Sequence, residues 1–318
     1  DGRLLQFCIE ESPVMAPELA ARYPGIDTYR GQGVDDPTTT VRLDRTPLGF
    51  RATVVTPGGV FFVGPESHGE RDRYVATRAE GPLSDEFQCF VSAFAGLGVE
   101  AGGEPIVALG LAPSGTMLRQ YRLAVAATGE YTNFFGSQAN ALAGIVSTVN
   151  AVNAVYNVEV TTHLTLVGNN DDIVYTDPTT DPFPLSNLNT ETQAAIDADI
   201  GDGNYDIGHL FHVAGSDISG NAGCIGCVCS SGSKGSGWSQ GPDPTNADFT
   251  FVVAHEMGHQ HGGTHTFNGS NCNPGQYTAS SAWEPGSGST IMSYSSICGA
   301  DNQLGNLPGN LYFHAGNR

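Results

Sequence analysis

Three histidines and a glutamate stand close together in His255-Glu256-Met257-Gly258-His259-Gln260-His261-Gly262-Gly263-Thr264-His265. Imidazoles at such spacing bind a divalent transition metal. A site with three protein ligands keeps a fourth position open for water, which is the catalytic arrangement and not the structural one. On a helix, residues four apart share a face, so His255 and His259 can offer ring nitrogens to one ion. Glu256 turns beside that face, where it can act as general base on a water polarised by the ion without binding the ion itself. Gly262 tolerates positive φ, so it can end the helix and bring His265 back to complete the set. His261 falls off the shared face and is read as a non-ligand. The short HExxH pattern arises by chance in roughly one chain in a hundred, and the extended one about a hundred times less often, so coincidence is set aside.

The helix that must carry this set reads over residues 249–262, with Asp248 as its N-cap. Upstream, residues 119–127 read as a strand. Residues 139–156 carry Leu142, Ile145, Val146, Val149, Val152 and Tyr156, an apolar stripe at helical spacing. Residues 158–167 and 205–212 read as strands, 190–200 as a polar helix and 223–229 as an edge strand. Strands alternating with helices imply an α/β sheet with helices packed on it. The first hundred or so residues differ: 41–43, 50–55 and 60–63 are β-rich, with Thr56-Pro57-Gly58-Gly59 a turn and no metal-ligand spacing. A Gly-, Ala- and Pro-rich linker over about 96–117 divides a β-rich domain, 1–117, from a second, 118–318. A chain of 318 residues suits two domains.

Composition narrows the setting. The chain carries 33 acidic and 13 basic residues, a net charge of −20, and Lys234 is its one lysine. So acidic a surface excludes nucleic acid and anionic membranes as partners, because both need clustered cations. No apolar run of about 18 residues is present, so no membrane span is expected. Without a basic start leading into an apolar stretch, any signal peptide is expected to have been removed. The expected location is secreted, extracellular or at the cell surface; nothing in the residues speaks to oligomeric state. The cysteines are Cys8, Cys89, Cys224, Cys227, Cys229, Cys272 and Cys298. Cys224-Ile225-Gly226-Cys227 has the spacing of zinc, redox or local disulfide motifs; its Gly/Ser-rich setting and a secreted context favour disulfides. The many carboxylates make Ca2+ a second candidate ion, although the glycine in 197–204 has the wrong offset for an EF-hand loop. Gly237-Trp238-Ser239-Gln240-Gly241 matches a serine-hydrolase elbow but lacks the strand before it and the helix after it. His209 reads as a satisfied core histidine. Asn268-Gly269-Ser270 is a glycosylation sequon with meaning only in a eukaryotic secretory setting.

The extended histidine pattern resembles the metzincin family of zinc peptidases. Ser289-Thr290-Ile291-Met292-Ser293-Tyr294 looks like that family's Met-turn, the tight turn beneath the zinc, with Met292 at its centre. Within the family the chain is similar to bacterial members of the adamalysin/reprolysin-like group. The stretches that carry this are residues 11–21, Tyr205-Asp206-Ile207-Gly208-His209-Leu210-Phe211, His265-Thr266-Phe267-Asn268 and residues 284–292. The resemblance implies a propeptide-like domain over 1–117. It implies a metzincin catalytic domain over 118–318, with a mixed, mostly parallel twisted sheet. The antiparallel edge strand of that sheet, at about 223–229, would pair with an extended protein or peptide substrate. Two positions depart from the group: Thr266 stands where adamalysins carry Asp, and Tyr294 where they carry Pro, as in astacins and serralysins. Arg318 follows the Met-turn so soon that a terminal helix or further domains are expected beyond it.

The function so implied is a secreted Zn2+-dependent endopeptidase with His255, His259 and His265 as ligands and Glu256 as base. The alternative is a non-catalytic surface or adhesive protein that keeps the zinc fold; an intact Glu256 argues against it. Two further residues are candidates. Cys89, about thirty residues before the catalytic part, is within reach of the open metal position through a flexible linker and could silence it as a thiolate. Cys8 is the alternative for that role, and a Cys8–Cys89 disulfide the plainer reading. Tyr294 could be a labile fifth ligand that later donates to the oxyanion, or a wall residue of the specificity pocket.

Overall fold

A computed structural model describes residues 4–78, 88–89, 117–215, 218–269, 272, 274–294, 298 and 311–318. The linker expected over about 96–117 lies outside these residues except for Met117. The first part is an antiparallel meander of β1 (Phe7–Glu11), β2 (Asp27–Gly33), β3 (Thr40–Thr46), β4 (Gly49–Thr56), β5 (Gly59–Pro65) and β6 (Tyr74–Arg78), paired in chain order. A short helix, α1 (Pro17–Arg22), interrupts it after β1. The expected turn at 56–59 joins β4 to β5, with Thr56 paired to Gly59 at positive φ. Val41, Ala52 and Val54 form a small core on one face.

The second part alternates strands and helices, as its sequence pattern requires. Its sheet takes in β7 (Gln88–Cys89) from the first part, and its own elements are β8 (Arg119–Ala127), α2 (Gly129–Phe135), α3 (Gln138–Glu159), β9 (Thr162–Leu166), α4 (Leu188–Asp199), β10 (Ile207–Val213), β11 (Ser219–Asn221), β12 (Gly237–Gly241) and α5 (Ala247–Gln260). The sheet order is β7-β11-β12-β10-β8-β9. β9, β8, β10 and β12 run parallel, and β11 is antiparallel to β12. Along β8, Leu123, Val125 and Ala127 face α3 and α5, while Ala124 and Ala126 face α4. Strands covered on both faces need apolar residues at every position, so they read as runs and not as alternation.

Helix α3 is the core of the molecule. By length and composition it is apolar enough to cross a bilayer, although its sequence holds no unbroken apolar run, but most of it is buried inside the fold. The polar residues that break the run are used. Asn153 donates to and accepts from the Leu164 backbone, at 2.9 and 2.8 Å. Asn150 accepts from Arg42 Nε at 2.8 Å, and the Ser147 hydroxyl donates to Asp44 at 2.7 Å. These bonds seat β3 of the first sheet on α3. The segment before α1 adds to the free edge of β9, with Leu166 donating to Val14 and accepting from Ala16 at 2.7 and 2.9 Å. Arg22 then pairs with Asp171 and donates to the Gly168 carbonyl.

Three expectations need correction. Residues 223–229 are not a strand: Gly223, Gly226 and Cys229 have positive φ, and a Cys224–Cys227 disulfide closes the loop. The antiparallel strand is β11, just upstream. The cap of α5 is Asn246, whose side chain accepts from Phe249 N, and Asp248 lies within the first turn. A Cys8–Cys89 disulfide does not form; Cys8 is exposed on β1, and the second disulfide joins Cys272 to Cys298.

Burial pushes the Asp44 carboxyl up to about 6 from 3.8, against the opposing pull of Ser147, Arg51 and Asn150. The native chain thus holds a proton there that the unfolded chain has released, so stability falls as pH rises from about 4 through about 6. Asp44→Asn, neutral throughout, is expected to raise the thermal midpoint at pH 7.5 by roughly 2–6 °C and to leave it almost unchanged at pH 4. Equal shifts at both pH values would show that the buried charge is not the cause.

Candidate metal centre

Helix α5 delivers the first two histidines. It ends because Gly262, at φ +106°, takes a conformation closed to other residues at little cost, and Gly263 N donates back to Gly258 O at 2.9 Å. The chain then reverses and returns His265 to the helix face. The three Nε2 atoms converge: His255 to His265 is 3.2 Å, His259 to His255 3.1 Å and His259 to His265 3.1 Å. A tetrahedral ion with bonds of about 2.0–2.1 Å sets its nitrogens roughly 3.3 Å apart, so the trio fits one.

The other ring nitrogen of each histidine is committed to a backbone carbonyl. His255 Nδ1–H donates to Ile291 O at 2.6 Å, His259 to Gly263 O at 2.7 Å and His265 to Gln276 O at 2.8 Å. These bonds fix the tautomer and leave every Nε2 lone pair facing inward. Burial keeps the rings neutral, lowering His255 to about 4, His265 to about 3 and His259 well below its ordinary value. Met292 lies beneath them, fully buried, and a Cβ at Gly258 would meet its sulfur at 2.5 Å. A side chain at this position would push Met292 aside.

Glu256 is fully buried beside the trio, and its Oε1 has no hydrogen-bond partner among the described atoms. Burial pushes its carboxyl up to about 8, opposed by the Cys89 thiol and the Ala222 backbone. Cys89 is buried here as well. Its Sγ lies 3.7 Å from His259 Nε2 and 3.8 Å from Glu256 Oε2. The Cys89 sulfur and the three histidine nitrogens all lie within 4.8 Å of one another. A sulfur about 2.3 Å from a tetrahedral ion would stand roughly 3.6 Å from a nitrogen on the same ion, so the 3.7 Å separation from His259 fits a thiol in ligand position. It is brought there by backbone pairing, with Gly220 opposite Cys89 in a parallel ladder between β11 and β7.

Tyr294 is buried against this group, its ring edge-on to His265 at 5.0 Å and its hydroxyl donating to the Cys89 carbonyl at 3.5 Å. Burial, with Cys89 and Glu256 nearby, pushes the phenol up. His261 stays outside, donating to Met257 O and packed on Tyr121 and Tyr156. His209 is buried between Gln260 and Ser239. Among the described residues no second group of three or more His, Cys, Asp or Glu side chains converges in this way. Sequence reasoning did not find the Cys224–Cys227 loop as a support of the site. Gly226 N donates to His259 O at 2.9 Å and Val228 N to Gln260 O at 3.2 Å, satisfying the last carbonyls of α5.

A sequence model of the family described as metallo-peptidase family M12B, reprolysin-like, matches residues 117–308. No curated protein matches. Among solved structures the chain matches the crystal structure of metalloproteinase-II from Bacteroides fragilis, at 11% identity, over 92% of this chain and 80% of that one. The TM-score is 0.43, a likeness too loose to bear on function.

Proposed function

The chain belongs to the reprolysin-like metallopeptidases of family M12B, and from that premise we propose that it is a secreted, zinc-dependent endopeptidase held in a latent form by its own Cys89. The observation that carries this is the convergence of three neutral, backbone-anchored imidazoles, with Glu256 buried at their side. As in any peptidase family, the substrates are proteins or peptides. When bound, zinc supplies a Lewis acid that polarises the scissile carbonyl and lowers the pKa of a water molecule to about 7. Glu256 accepts the proton that this water loses as its oxygen adds to the carbonyl carbon. It returns that proton to the amine nitrogen as the C–N bond breaks, so one water is consumed per bond and no other reactant is needed. Tyr294, now bonded to the Cys89 carbonyl, is the donor that would meet a substrate carbonyl as it gains charge.

On this reading residues 1–117 are a propeptide-like domain and 118–318 the peptidase domain. Strand β7 lies on β11, the antiparallel strand to which an extended substrate would add. The thiol of Cys89 then takes the corner that water needs. The two disulfides support an extracellular location.

Added to the active Cys89→Ala chain, Glu256→Ala is expected to keep the fold and the zinc yet lose at least ~10²-fold in cleavage of a denatured protein; undiminished turnover by the double variant would remove Glu256 from the mechanism. Cys89→Ala is expected to cleave a short fluorogenic peptide at full length, before any proteolysis. If full-length Cys89→Ala stays as silent as the parent chain, the thiol is not what blocks the site.

A further inference from the structure

The loop of His265 and the turn of Met292 come from separate stretches of chain, and one carboxylate joins them. Glu284 is buried, and its Oε1 accepts from the hydroxyls of Thr266, at 2.5 Å, and Thr290. Its Oε2 accepts from Ser289 N at 2.7 Å, Thr290 N at 3.2 Å and the Ser289 hydroxyl at 3.4 Å. The backbone repeats the link, with Glu284 N donating to Thr266 O at 2.8 Å and Thr266 N to Met292 O at 3.0 Å. One end of this clamp is next to a candidate ligand and the other next to a carbonyl that orients one. Thr266 follows His265. Thr290 precedes Ile291, whose carbonyl orients His255 at 2.6 Å.

We propose that Glu284 is a positioning residue of the metal centre, setting His255 and His265 at one separation by gripping the turn and the loop together. Five donors on a buried carboxylate form a charge-assisted network with little freedom. An anchored partner shell of this kind determines how tightly an ion is held. The inference rests on the zinc reading given above. It adds that the spacing of the trio depends on a residue that touches neither ion nor substrate.

The test is zinc affinity of the full-length chain by chelator competition, with the thermal midpoint of the chelated chain measured in parallel. Glu284→Gln and Thr266→Val are expected to weaken zinc binding by about 10- to 100-fold and several-fold respectively, while Thr266→Ser, which keeps the hydroxyl, binds as the parent does. A merely structural role would lower the chelated midpoint and leave the affinity of the folded molecules within about twofold of the parent, and that result overturns the proposal. Should Glu284→Gln fail to fold, the contrast between Thr266→Val and Thr266→Ser decides. A parent chain that takes up no zinc would overturn the zinc reading itself; a parent that binds while the variants bind equally well would overturn this inference alone.

Discussion

Three neutral imidazoles aim their free lone pairs at one another across 3.1–3.2 Å inside the protein. Left to themselves they would turn apart, because like-directed dipoles repel and buried acceptors go unsatisfied. What holds them is a carbonyl behind each ring, and the three carbonyls come from three places. Gly263 is at the end of α5, Gln276 in the following loop and Ile291 in the turn above Met292. The chain from α5 to Met292 is therefore shaped by one requirement. The sharp stop at Gly262, the close contact of Met292 with Gly258 and the Glu284 clamp all serve to place those carbonyls.

The first sheet is tied to the same centre from the other side. It is seated on α3 through Arg42 and Asp44, and its leading segment extends the sheet at β9. Cys89 reaches the trio at the opposite edge, laid along β11. Strands β9 and β11 are thus both covered by chain from the first part. Covering exposed edges removes unpaired backbone groups that would otherwise invite other strands. At β11 the covering segment also brings a thiol to the ring nitrogens.

Much of this was legible in the residues. The histidine set declared itself because helical period and a glycine stop leave few other arrangements, and α3 because its apolar stripe repeats at three and four. The resemblance drawn from residues 255–265 and 289–294 agrees with the family to which the chain belongs. Other features left no side-chain signature. The acceptors behind the rings are backbone carbonyls, which any residue supplies. The edge strand was misplaced because β-prone Ile225 and Val228 sit among residues whose positive φ and disulfide bend them into a loop. Asn246 was passed over as a cap because Asp248, two positions on, reads equally well. The bonds from Arg42 to Asn150 and from Asp44 to Ser147 join residues so far apart in the chain that only folding reveals them.

Zinc K-edge X-ray absorption on the full-length chain tests the account most directly, because it counts the atoms around the ion without relying on activity. The account predicts a four-coordinate shell of three nitrogens at about 2.0–2.1 Å and one sulfur at about 2.3 Å. A six-coordinate shell of oxygen and nitrogen, or a four-coordinate one with no sulfur, would contradict it.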